Sequence, residues 1–279
     1  MLKIGFIDYY LDEWHANNYP RMIGESTVRG AAAAFAWGER DSPQGVSSAA
    51  WCRTYGAELC GSPEEVCEKS DCILILSPDN SEKHLAYAKR ALPSRKPTYI
   101  DKTFTPSLAE AREIFALAEE YGVPLCSASP LRFAAEIEAY HGNAQSVVST
   151  GAGPSFATYA VHQMEMITKV MGTGAEKLMG IMDGGNKSIV IRYGDGRQAM
   201  FNQAAHSSAP FAVSVEAGPG KTDYRVIESD FFKAFIEALL TFYKTREPLA
   251  PKAETLAVIS LIEAGEKALA APFQWIPAP

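Results

Sequence analysis

The stretch Asp71-Cys-Ile-Leu-Ile-Leu-Ser77 is apolar without alternation. A strand of that kind needs cover on both faces, which is the condition of a parallel sheet packed between helices. Residues 3–7, Gly30–Ala36, Thr98–Ile100 and Val123–Cys126 read as further strands, with the small-residued Gly30–Ala36 expected to be buried. Helical patterns separate them: Asp12 toward Met22 with a stop at Gly24, Val46 to Tyr55 before Gly56, and Ser81 to Leu92. Ser62-Pro63-Glu64-Glu65 and Ser107-Leu108-Ala109-Glu110 are capping boxes that open two more helices, the second reaching Gly122. Strand and helix alternating at these lengths over residues 1–127 predict a doubly wound α/β sheet.

After Pro130 the pattern changes. A helix is predicted around Val161–Val170, and Lys187–Tyr193 and Arg197–Gln203 flank Gly194-Asp195-Gly196, a hairpin signal. Phe211–Glu216 and Asp223–Ile227 flank Gly218-Pro219-Gly220 in the same way. Two helices follow, Asp230 to Arg246 and Lys252 to Ala270, and the Pro-rich tail after Ala271 reads as a surface strap. Residues 128–279 are therefore expected to form an α+β domain with a mostly antiparallel open sheet.

Bulk properties exclude several classes. The net charge of −7 argues against nucleic acid, because phosphate binding needs a basic surface. Hydrophobic residues at 47% and charged ones at 21% fit a globular chain. Five cysteines, odd in number and without a C-x-x-C pair, fit a reducing cytosol and buried thiols better than disulfides or a metal site. The N-terminus reads as a strand and not a secretory segment, and no stretch approaches the roughly 20 apolar residues of a membrane span. The expectation is a cytoplasmic protein with no metal, no membrane and no nucleic acid.

Several motifs in register resemble the Gfo/Idh/MocA family of oxidoreductases over nearly the whole chain. Ser77-Pro78-Asp79-Asn80 with His84 is similar to the family's T-P-N-x-x-H turn. Asp101-Lys102-Thr103 stands where the family carries E-K-P, Leu131-Arg132-Phe133 resembles the R-F opening the second domain, and Val161-His162-Gln163-Met164-Glu165 resembles G-x-H-x-x-D. Arg246-Glu247-Pro248 between the last two helices also matches. The resemblance implies a Rossmann-type domain at 1–127, a substrate and oligomerisation domain at 128–279, NAD or NADP, a small-molecule substrate, and a homo-oligomer (dimer or tetramer).

It also implies roles. Lys102 would hydrogen-bond substrate and cofactor ribose, His162 would exchange the hydroxyl proton, and Glu165 would orient His162 from the same helix face. Arg132, Thr158 and Tyr159 join Lys102 and His162 as candidates for substrate contact. Thr158 stands where polyol-oxidising relatives carry an aspartate, so it can donate a hydrogen bond but supplies no negative charge. Ser77, Pro78, Asn80 and His84 are candidate cofactor contacts.

The departure lies after the first strand. Where the dinucleotide fingerprint has three glycines, this chain has Asp8, Tyr10 and Glu13. Tyr10 would fill volume that phosphates need unless its ring turns away. Acidic groups there would cost a bound phosphate on the order of 1 kcal/mol each. The helix that follows still presents an N-terminus favourable to an anion. On the second strand Trp37 can stack on adenine, Glu39 can take a ribose hydroxyl and Arg40 can favour a 2′-phosphate. His15, in Trp14-His15-Ala16-Asn17-Asn18-Tyr19, either lines the cleft in place of a cofactor or makes a buried contact; both readings stay open. His141 and His206 read as structural or exposed. The expected function is an NAD(P)-dependent oxidoreductase acting on a hydroxyl or carbonyl carbon of a sugar, polyol or related metabolite. The alternative is a non-catalytic ligand-binding or regulatory protein on the same fold with a lost dinucleotide site.

Overall fold

The computed structural model describes residues 1–205 and 208–279, with the backbone alone at Asp183. His206 lies outside the described residues. The elements run β1 (Leu2–Asp8), α1 (Trp14–Glu25), β2 (Ala31–Gly38), α2 (Ser48–Tyr55), β3 (Glu58–Leu59), α3 (Pro63–Lys69), β4 (Cys72–Ile75), α4 (His84–Ala91), β5 (Thr98–Ile100), α5 (Leu108–Tyr121) and β6 (Leu125–Cys126). They continue with β7 (Ser146–Ala152), α6 (Phe156–Met171), β8 (Ala175–Asp183), β9 (Asn186–Tyr193), β10 (Gln198–Ala204), β11 (Ala212–Gly218), β12 (Lys221–Val226), α7 (Phe231–Thr245), α8 (Lys252–Ala270) and β13 (Trp275–Pro277). The chain divides into unit 1, Met1–Thr105 with Ala109–Ala128 and Lys233–Pro251, and unit 2, Pro106–Leu108 with Ser129–Phe232 and Lys252–Pro279. Residues 233–251 thus group with the first unit.

Unit 1 is built on a six-stranded sheet in the order β3-β2-β1-β4-β5-β6, all pairs parallel. This is the doubly wound Rossmann order, with the direction of winding switching between β1 and β4. All of Cys72–Ile75 is buried, as its unbroken apolar run requires. β2 departs from expectation: only Ala36 of its residues is fully buried, because its outer neighbour β3 is two residues long. At Gly5 a Cβ would meet Ser70 Oγ at 2.2 Å, so glycine lets α3 approach β1. Residues of α7 close the unit: Tyr243 donates to the Ile73 carbonyl at 2.8 Å, and the Phe235 ring lies 5.8 Å from Tyr19 and 5.4 Å from Tyr99. The capping box at Ser62 forms, with Ser62 Oγ accepting from Glu65 N–H while the Glu65 carboxylate accepts from Gly61 N–H.

Unit 2 has a seven-stranded sheet, β12-β11-β7-β10-β9-β8-β13, antiparallel except for the β7–β10 pair. Both predicted hairpins form, β9–β10 and β11–β12. β7 and β8 were not expected, and α6 begins at Phe156, earlier than Val161, because Ser155 caps it by accepting from Thr158 N–H. α8 packs tightly on β8: a Cβ at Gly180 would lie 2.6 Å from the Ala268 backbone. The tail is a strand, β13, paired with β8.

Candidate active site

At the carboxyl end of β1 the chain turns through Tyr9–Glu13 into α1. Glu13 is the N-cap of that helix, and its carboxylate accepts from His15 N–H at 2.7 Å and from Ala16 N–H. Asp12 ties the turn sideways, accepting from Asn17 Nδ2 at 2.8 Å and Val46 N–H at 2.7 Å. Asp8 is buried; its Oδ1 accepts from Tyr9 N–H at 2.7 Å and from the Ser77 hydroxyl at 3.2 Å. Ser77 has a left-handed backbone, φ 74°, unusual for a residue with a Cβ, and its Oγ also accepts from Tyr9 N–H at 2.9 Å. Its hydroxyl is spent on joining the ends of β1 and β4. Burial, followed by the charge of Glu13, raises the Asp8 carboxyl well above the usual range. Glu13, half-buried, is raised by desolvation to about 7.

At the end of β5, Asp101 and Lys102 are both buried, and the Lys102–Thr103 peptide bond is cis. Asp101 Oδ2 lies 2.7 Å from His15 Nδ1, and Oδ1 lies 3.1 Å from the Tyr99 hydroxyl. Burial opposes the Asp101 charge, but His15 and Lys102 together hold its carboxyl below the usual carboxylate range. His15 is buried in unit 1, its ring stacked 5.2 Å from Tyr19 and edge-on to Trp14 at 5.3 Å. Sequence reasoning did not find the His15–Asp101 pair, whose members are far apart in the chain.

Other unit 1 candidates are already partnered. His84 is fully buried with Nδ1 2.9 Å from the Phe104 carbonyl and Nε2 2.5 Å from the Leu76 carbonyl. It joins the β4 turn to the segment after β5. Burial lowers its pKa. Asn80 Nδ2 donates to Glu82 at 3.0 Å, and Pro78 is half-buried in the same turn. Glu39 accepts from Lys83 and from the Tyr87 hydroxyl, both at 2.6 Å. Trp37 is edge-on to Tyr87 at 5.7 Å with the Arg90 guanidinium 5.4 Å from its ring. Arg40 donates to the Tyr9 hydroxyl at 3.1 Å, Lys83 lies 4.8 Å from the Tyr9 ring, and Tyr10 packs against Tyr9 with centroids 4.4 Å apart.

In unit 2, His162 is half-buried on α6, its Nδ1 2.7 Å from Ser129 Oγ. Leu131 N–H donates to that same oxygen at 3.3 Å, which leaves the hydroxyl hydrogen available to the ring. Tyr159 is exposed, its ring 5.5 Å from that of His162, and Phe211 lies 5.8 Å away. Thr158 Oγ1 is engaged with Ser155 Oγ at 2.6 Å in the helix cap. Glu165 accepts from Ser129 N–H at 3.0 Å and from Arg132 at 3.2 Å, so it supports His162 through the Ser129 backbone instead of orienting it directly. Arg132 is buried between Glu165 and Glu254, its guanidinium paired with both carboxylates. Among the described residues no group of three or more His, Cys, Asp or Glu is placed to hold a metal ion. Among the described residues no helix is long and apolar enough to cross a membrane.

The strand order of unit 1 and the open sheet of unit 2 define a two-unit Rossmann-type architecture of the kind found in dehydrogenases. Residues 40–129 match the family model described as oxidoreductase family, NAD-binding Rossmann fold, GFO_IDH_MocA. Over that segment, about a third of the chain, the sequence is similar to the Gfo/Idh/MocA oxidoreductases. The matched segment begins after the β1–α1 turn, where the glycines are replaced. A segment of 70 residues is 39% identical to the uncharacterized oxidoreductase YhhX of Escherichia coli (strain K12), covering 25% of this chain and 20% of that one. The match thus spans about a fifth of that relative's length. An oxidoreductase from Agrobacterium radiobacter solved with NAD+, L-tartaric acid and magnesium superposes with a TM-score of 0.80 at 13% identity, covering 99% of this chain and 98% of that one. Apo scyllo-inositol dehydrogenase from Lactobacillus casei gives 0.80 at 13%, with 99% and 98% covered. UDP-N-acetylglucosamine 3-dehydrogenase from Acidithiobacillus ferrooxidans gives 0.79 at 14%, with 98% and 99% covered.

The donor set of unit 1 suits a dinucleotide. The first amides of α1, held here by Glu13, are donors of the kind a pyrophosphate takes, and Glu39 and Arg40, just past β2, are paired with Lys83, Tyr87 and Tyr9.

Proposed function

We propose that the protein is an NAD(P)-dependent oxidoreductase acting on a hydroxyl or carbonyl carbon of a sugar, polyol or related metabolite. The observation that carries this reading is the Asp101-Lys102 turn, a lysine buried at the carboxyl end of β5 beside a carboxylate clamped by His15. That edge is where a doubly wound sheet receives its ligand. The α1 amides and the Glu39-Arg40 pair would hold the cofactor, and the nicotinamide, when bound, supplies or takes the hydride. Lys102 polarises the substrate oxygen. His162 exchanges the hydroxyl proton at its ring, with Ser129 fixing Nδ1. Thr158 and Tyr159 are proposed to bound the substrate on the His162 side.

Turnover of a sugar or polyol panel with NAD+ and NADP+ tests this reading. Lys102→Ala is expected to remove most turnover while the circular dichroism spectrum is kept; an equally active variant overturns the assignment. A homo-oligomer and a cytoplasmic location belong to the same proposal.

One observation favours a second reading. Glu13 already sits on the α1 amides, and Tyr9 and Tyr10 fill the turn where glycines would leave room. A non-catalytic ligand-binding or regulatory protein with a lost dinucleotide site would have this arrangement, and would bind small molecules without turnover.

A further inference from the structure

The amides of His15 and Ala16 are among the first of α1, the helix that follows β1 at the strand-order switch between β1 and β4. Helix N-termini at that switch point are anion seats, through free N–H groups and the helix dipole. Here the seat holds an anion of the chain's own: the Glu13 carboxylate, whose oxygens take the same N–H donors a phosphate would. A second observation lies beside it. Asp8 is 1% exposed, and while its Oδ1 has two donors, its Oδ2 has no hydrogen-bond partner. Burial and the nearby Glu13 charge favour the protonated acid at Asp8.

We propose that Glu13 is an internal stand-in for the ligand's pyrophosphate, and that a dinucleotide binds unit 1 by exchange, the Glu13 carboxylate leaving for solvent as phosphate oxygens take over the α1 amides. This rests on the dinucleotide-dependent reading above. Glu13 is half-buried. The groups facing it are Asp8 on β1, His15 and Tyr19 on α1, and Asp101 after β5. Of these, His15 favours the Glu13 charge and Asp101 opposes it, and desolvation outweighs both, setting the carboxyl at about 7. In solvent the carboxyl returns to about 4.3. Ejection therefore releases a proton between those two values, and nucleotide affinity weakens as pH falls below 7.

The experiment is calorimetric titration of nucleotide-stripped protein with NAD+ between pH 6 and 8, in two buffers of different ionisation enthalpy. Wild type is compared with Glu13→Gln, which keeps a neutral cap, and with Glu13→Gly, which empties the seat. Wild type is expected to bind about tenfold more weakly at pH 6 than at pH 8, with net proton release. Glu13→Gln should lose that slope, and Glu13→Gly should bind at least about tenfold more tightly than wild type at pH 8. A Gly variant no tighter than wild type, or a slope that persists in the Gln variant, overturns the exchange while leaving the oxidoreductase reading intact. Failure of wild type and both variants to bind at millimolar NAD+ overturns the dinucleotide reading and the exchange together.

Discussion

His15 Nδ1 lies 2.7 Å from Asp101 Oδ2, with side-chain exposures of 8% and 0%. A carboxylate removed so fully from water is tolerated only with a close partner. His15→Ala removes that partner and is expected to cost about 3–5 kcal/mol in urea unfolding. His15→Asn, which can keep a donor toward Asp101, should cost less than half as much. Since the folded Asp101 carboxyl is held low, its contribution is present above the unfolded value of about 3.9 and lost as pH falls below it. The stability gap between wild type and His15→Ala should therefore shrink in acid. A gap unchanged down to pH 2 would show that the pair does not set Asp101.

His84 joins two backbone carbonyls, those of Phe104 and Leu76. Replacing it with leucine removes the ring N–H that one of these buried carbonyls accepts from, at about 1–3 kcal/mol. His84→Leu is expected to lower the thermal midpoint by several degrees while nucleotide affinity changes less than about threefold. A selective loss of nucleotide affinity with unchanged stability would restore the cofactor role that the motif suggests.

Arg132 is shared between Glu165 and Glu254 in unit 2. Arg132→Ala should destabilise the protein by about 3–5 kcal/mol, because two carboxylates lose their charge partner. Arg132→Met, of similar volume, removes the same charge and should be no better, whereas Arg132→Met with Glu165→Gln should recover part of the loss. No recovery in the double variant would mean that packing, and not charge, dominates the site.

Ser129 Oγ holds His162 Nδ1 at 2.7 Å. Ser129→Ala is expected to lower kcat by roughly 10-fold with KM little changed, and to move the pH midpoint assigned to His162, since the ring loses its fixed orientation. Unaltered kcat and pH profile would remove Ser129 from the mechanism.

Much of unit 1 was legible because its signals are local. The unbroken apolar run at 71–77, the caps at Ser62 and Ser107 and the alternation of elements need no tertiary information. β7 was hidden for a physical reason: its inward positions include Ser149 and Gly151, so the alternation carries no apolar stripe. Return of α7 residues to unit 1 was equally invisible, because aromatic residues on one helix face do not say which sheet they cover. Lys102 and His162 stand in the motifs that carry the resemblance, and their roles are proposals. At Glu165, Arg132 and His84 the motif marked residues whose chemistry is spent inside the fold. The signal available for Glu165 was its place in a continuously buried run of α6, where a carboxylate must have a cation nearby. Glu13 was read only as repulsive charge, although an acidic side chain before a helix is also a cap.

Unit 1 is expected to accept a nicotinamide dinucleotide although Asp8, Tyr10 and Glu13 stand where the fingerprint has glycines. Titration of purified, nucleotide-stripped protein with NADH and NADPH by calorimetry at pH 8 tests it most directly. Micromolar binding of either nucleotide is the predicted result, and a preference for NADPH would implicate Arg40. No heat of binding at millimolar nucleotide would contradict the claim and transfer the weight to a ligand-binding protein built on an oxidoreductase fold.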